Sequence, residues 1–124
     1  MKPVPSLRQA TTTTMVTLSE ISAPRQALVR LCQSVDYGQI IGLQIRDREP
    51  VFNPPPTVLL DVKLDADSGP RREAALDDFV LREEVHRLLK RIDGLENGRL
   101  DRIEVRAGIP RRVLIETPLT EEGR

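Results

Sequence analysis

One pattern occurs twice along this chain, sixty residues apart, and it constrains the fold more than any other feature. In its first occurrence Leu28, Val29, Leu31, Cys32 and Val35 recur at helical spacing, and Tyr37-Gly38 closes the helix. Ile41, Leu43 and Ile45 then alternate with Gly42, Gln44 and Arg46, as in a half-buried strand. Asp47-Arg48-Glu49 is a polar turn, and Pro50-Val51-Phe52 starts a return strand, where a residue without an N–H is tolerated. In the second occurrence Leu88, Leu89, Ile92 and Leu95 stand where Leu28, Val29, Cys32 and Val35 stood. Gly98 replaces Gly38, Leu100, Ile103 and Val105 replace Ile40, Leu43 and Ile45, and Pro110 replaces Pro50. Identities are few; the argument is that stripe, glycine, strand and proline keep one register.

Between the two units, Val58, Leu60, Val62 and Leu64 alternate with Leu59, Asp61 and Lys63 and predict a further strand, set off by the stiff spacer Asn53-Pro54-Pro55-Pro56. The expected fold is therefore α+β, a two-layer sandwich of two helix-plus-β-hairpin repeats with an extra central strand. Its sheet is mostly antiparallel, with both helices on one face. Ile41-Leu43-Ile45, Val58-Leu60-Val62-Leu64 and Ile103-Val105 are expected to line the inner side of that sheet.

The helix ends carry their own signals. Ser22 can cap the first helix and Pro24 fits its first turn. The second contains the stripe Leu81, Val85, Leu88, Ile92 and Leu95, and either Pro70 or Asp77-Asp78 can open it. Gly94 and Asn97-Gly98 close it, and the last hairpin turns at Ala107-Gly108. Residues 1–17, with two prolines and four consecutive threonines, read as an N-terminal arm, of which Met15 to Leu18 can dock as a strand. Residues 18–118 form a single domain, with repeat units at about 22–53 and 82–116, and 119–124 form a tail.

The segment from Ala27 to Ile40, containing Tyr37-Gly38 and followed by Leu43-Gln44-Ile45-Arg46-Asp47 and Pro50-Val51, resembles the YezD-like family of short uncharacterised bacterial proteins. The similarity spans residues 27–53, with a weaker echo at 85–113. It implies a helix, a strand, an aspartate-containing turn and a return strand, and it brings no activity with it. The chain departs from the family at Arg48, where glycine is usual; Gly108 restores it in the second unit.

Composition narrows the functional classes. With 19 basic and 19 acidic side chains the net charge is zero, which removes the bulk attraction to nucleic acid or anionic membrane. Tyr37, Phe52 and Phe79 are the only aromatic residues, so the core is aliphatic. Cys32 is the sole cysteine, which forbids an internal disulfide and a cysteine-based zinc site; its counterpart Ile92 assigns it to the core. No leader-like or membrane-length apolar run is present, and a cytoplasmic location is expected.

No catalytic, metal or cofactor motif emerges. His86 lacks sequence-local partners and reads as a helix-surface residue. Asp77-Asp78 and Glu83-Glu84 fit the start of a helix, where its dipole favours carboxylates. Asp65-Ala66-Asp67-Ser68-Gly69 misses the spacing of a calcium loop and reads as a turn. The one concentration of chemistry is Arg99, Arg102, Arg106, Arg111 and Arg112 in the terminal hairpin, a possible partner-binding set without interleaved aromatics for base stacking. The expectation is a non-catalytic interaction or accessory protein with a protein partner, with homodimerisation as an option. The alternatives are a nucleic-acid-binding module using the same hairpin, and a small-molecule sensor or small enzyme with a helix–sheet pocket.

Overall fold

The computed structural model describes residues 16–65 and 76–117. They form an α+β fold in which two helices pack on a five-stranded antiparallel sheet. Helix α1 (Ala23–Val35) opens at Ser22, whose Oγ accepts a bond from the Arg25 N–H at 3.4 Å, with Pro24 in the first turn. It buries Leu28, Val29, Cys32 and Val35. Helix α2 (Glu83–Leu95) buries Val85, Leu88, Leu89 and Ile92 and leaves Leu95 half-buried.

Five strands follow from the alternation and turns: β1 (Gly38–Arg46), β2 (Glu49–Val51), β3 (Thr57–Leu60), β4 (Gly98–Arg106) and β5 (Ile109–Glu116). The path across the sheet is β2-β1-β4-β5, and β3 also pairs with β1. Both hairpin turns place two residues at positive φ, Asp47 and Arg48 in the first and Ala107 and Gly108 in the second. Such turns match the twist of the flanking strands. Arg48 occupies a left-handed position that glycine takes in the second unit.

Helices Ala23–Val35 and Glu83–Leu95, and strands Gly38–Arg46 and Gly98–Arg106, have matching lengths and begin sixty residues apart. β1 and β4 pair antiparallel at the centre, Gly38 opposite Val105 and Ile45 opposite Gly98, so exchanging each residue for the one sixty positions away turns one pair into the other. The turns reach across in the same reciprocal way. The Arg48 N–H donates to the Glu96 carbonyl at 2.8 Å, and the Gly108 N–H donates to the Asp36 carbonyl at 2.8 Å. Ile40, Leu43, Ile45, Leu100, Ile103 and Val105 meet both helices in one core.

Several expectations are corrected by these contacts. The additional strand lies at the edge of the sheet rather than its centre, because β4 already occupies the inner side of β1. There β2 covers Gln44–Arg46 and β3 covers Gly38–Ile41. Prolines without N–H groups divide the two and carry the chain off the ladder at 53–56. Val58 and Leu60 are consequently exposed at the rim of the helix-covered face, and Val62 and Leu64, beyond the end of β3, are exposed as well, so none of the four lines the core. In β1 the buried residue is Ile40 rather than Ile41, since Gly42 at φ 80° shifts the alternation by one.

The positive-φ residues that end the helices are Asp36 and Glu96, each at the centre of a γ-turn, not the glycines. Gly38 is required for another reason, because a Cβ there would lie 2.0 Å from the Leu59 carbonyl oxygen. Helix α2 begins only at Glu83, with Arg82 as its N-cap, so Leu81 precedes it. Asp78 serves a different turn, the 3₁₀ turn Leu18–Glu20, accepting bonds from the Ser19 Oγ at 2.8 Å and N–H at 2.9 Å. Those bonds hold the Asp78 carboxyl below its ordinary pKa. At Val16 and Thr17 the docking allowed for Met15 to Leu18 is seen: Leu81 N–H donates to the Val16 carbonyl at 2.8 Å, beside a Thr17–Val80 bridge. The rest of the arm, most of the Asp65-to-Gly69 turn and the 119–124 tail lie outside the described residues.

Candidate functional site

The helices cover one face of the sheet, and no described element covers the other. Residues directly opposite one another in an antiparallel pair share a face, which sets out that uncovered face in rows. Thr57, Ile41, Arg102 and Leu114 form one; Leu59, Gln39, Glu104 and Arg112 form the next; Val51, Gln44, Arg99 and Glu116 form a third. Arginines here alternate with carboxylates and amides. Arg102 Nη1 donates to Gln39 Oε1 at 2.7 Å. Arg99 lies 3.8 Å from both Asp101 and Glu116, with its guanidinium over Gly42. Arg112 Nη1 stands 3.9 Å from Glu104 Oε2. Arg106, exposed at the end of β4, has no ion-pair partner among the described residues and borders a cleft with Tyr37, Leu59 and Asp61.

The five arginines therefore do not form one patch. Arg99, Arg102 and Arg106 are spread over the uncovered face, whereas Arg111 turns toward α2 and pairs with Glu84 at 3.0 Å. That displacement follows from the register shift between Glu104 and Val105, which leaves Arg111 between the residues opposite them. Arg112 belongs to both surroundings.

Where β5 meets α2, Arg87 and Arg91 join Arg111 and Arg112 around a groove of about 180 Å³. Leu88, Pro110 and Val113 supply its apolar floor, and Glu84 is the one carboxylate on its rim. Arg87 and Arg91 share a helix face at i, i+4; Arg87 also pairs with Glu83 at 3.0 Å. Sequence reasoning missed these two residues. The available signal was two basic positions beside the buried stripe residue Leu88, but only packing of α2 on β5 brings them to the hairpin.

The other candidates are placed as follows. Cys32 is 1% exposed, and burial pushes its thiol up to about 12. His86 is half-buried on α2 rather than wholly on the surface; its Nε2 has no hydrogen-bond partner among the described residues. No group of three or more His, Cys, Asp or Glu side chains among the described residues is disposed to hold a metal. No described helix is long and apolar enough to cross a membrane. The space between helices and sheet is filled by aliphatic side chains with no buried polar residue among those described.

Comparison with family models, curated proteins and solved structures found no match to this chain.

Proposed function

We propose that this chain is a non-catalytic interaction protein that receives an acidic segment of another protein in the groove between α2 and β5. The observation that carries this reading is the make-up of the groove, four arginines against one glutamate around an aliphatic floor. Guanidinium groups pair with carboxylates in fixed, directional geometry. The floor of Leu88, Pro110 and Val113 gives apolar side chains of the same segment a place to bury. Its volume falls below the roughly 300–1,000 Å³ of pockets that enclose small molecules, which favours a row of side chains over a metabolite. The aliphatic floor also offers no aromatic surface for bases to stack on.

The test compares the immobilised wild-type chain with Arg91→Glu/Arg112→Glu in capturing proteins from its native cell. A protein held by the wild type at low salt and lost by the variant is the expected result. Identical captures would defeat the reading. Salt-dependent binding of labelled oligonucleotides, weakened by Arg102→Ala and Arg106→Ala, would instead move the function to nucleic acid.

A further inference from the structure

β3 pairs with β1 on one side and meets no described strand on the other. Natural sheets guard such an edge with charge, proline or bulges. β5, at the opposite edge, has all three: Pro110, Arg111, Arg112 and Glu116, with two register shifts. β3 has none of them within Thr57–Leu60. Leu59 is 50% and Leu60 60% exposed, and beyond the end of β1 the chain continues with Val62 at 65% and Leu64 at 95%.

The backbone orientation of this edge is fixed. The Asp61 N–H donates to the Tyr37 carbonyl at 2.7 Å, so Asp61 turns its main-chain groups toward β1. By the two-residue period of a strand, Val58 and Leu60 turn theirs outward, and the same period carried past the end of β3 would turn those of Val62 and Leu64 outward as well. The side chains of Val58 and Leu60 share the helix-covered face, since Val58 lies opposite the buried Ile40.

We infer that this edge is a homodimerisation strand, pairing antiparallel with the same strand of a second copy about a two-fold axis through Val62. In that register Val62 faces its own copy and Leu60 faces Leu64 of the partner subunit. Asp61 then faces Lys63 of the partner subunit, and the same pair recurs on the other side of the axis. These ionic pairs fall at the positions without main-chain hydrogen bonds, where side chains approach most closely. The neighbouring symmetric registers are excluded by charge: an axis through Asp61 opposes two aspartates, and an axis through Lys63 opposes two lysines. An antiparallel two-fold contact closes on itself, so it yields a dimer rather than a fibre. The inference does not depend on the arginine groove, which lies beside the opposite edge of the sheet.

Sedimentation equilibrium of the full chain over roughly 1–100 µM tests it. The expected species has twice the 14.0 kDa chain mass. Asp61→Lys and Lys63→Asp each set two like charges opposite one another and should weaken association by roughly tenfold or more. The combined variant should restore the dimer, with far-UV circular dichroism unchanged throughout. A monomer at every concentration, an assembly larger than a dimer, a dimer indifferent to both single substitutions, or a double variant no better than the singles would each overturn the inference.

Discussion

Two glycines sit in opposite circumstances. Gly94 lies inside α2, exposed, with no atom within 4 Å of where a Cβ would project. Alanine there lowers the entropy of the unfolded chain without steric cost, so Gly94→Ala should raise unfolding free energy by about 0.5–1 kcal/mol in a denaturant titration. Gly38→Ala should do the reverse, by about 2 kcal/mol or more, because the atom it would strike is the main-chain oxygen of Leu59 and cannot swing aside. Cys32 links the core to pH. Its thiol is held neutral by burial, with a pKa raised from 9.0 to about 12. The folded state thus retains a proton that the unfolded state gives up, and the contribution is intact below 9.0 and lost as pH rises toward about 12. Relative to Cys32→Val, wild-type stability should therefore decline across that interval, and a flat difference would contradict it. The role of Cys32 was legible in the sequence, because the repeat sets it against Ile92, itself fully buried.

Elements are joined by side chains whose partners lie far along the chain. Arg25, in the first turn of α1, is disfavoured there by the helix dipole. Its place is explained by its contacts: Nη2 donates to the Arg48 carbonyl at 2.6 Å and to Asp93 Oδ1 at 2.5 Å, with Glu49 Oε1 3.4 Å from Nε. It thereby ties α1 to the first hairpin turn and to α2. Replacing it with Met keeps much of the stem packing and removes the bonds, so a loss of about 1–3 kcal/mol is expected in chemical denaturation. The strap at Val16–Glu20 depends on Asp78 in the same manner. Because that carboxyl titrates below its ordinary value, the stability it lends is present above the ordinary value and is lost as pH falls through the lowered one. Asp78→Asn should accelerate hydrogen exchange at Leu18 and Leu81 at neutral pH and abolish the acid-induced loosening of those amides. At this scale the sequence showed the helices, both hairpins and every described strand, since each has a local period or turn. It did not show that α2 starts only at Glu83, because Asp78 binds Ser19, fifty-nine residues away.

The whole molecule is held together along β1 and β4. That central pairing, the reciprocal turn contacts and the one core drawing on both units give neither unit a separate interior. Thermal unfolding followed by far-UV circular dichroism and by calorimetry should therefore give one coincident transition. Two resolved steps would show that the units fold separately.

By itself the sequence determined the period of each helix and strand, the turns, and the sixty-residue register, because these depend on residues close along the chain. The hairpin arginines were legible for the same reason: they fall between Arg99 and Arg112. Tertiary structure alone decided which apolar residues are covered. Val58, Leu60, Val62 and Leu64 alternate as convincingly as Leu43 and Ile45, yet Val58 and Leu60 lie at an open edge because β4 pairs with the far side of β1, and Val62 and Leu64 lie exposed beyond the end of the strand. It likewise brought Arg87 and Arg91 to Arg111 and Arg112. Burial and convergence of charge arise from contacts between distant segments, and no local period encodes them.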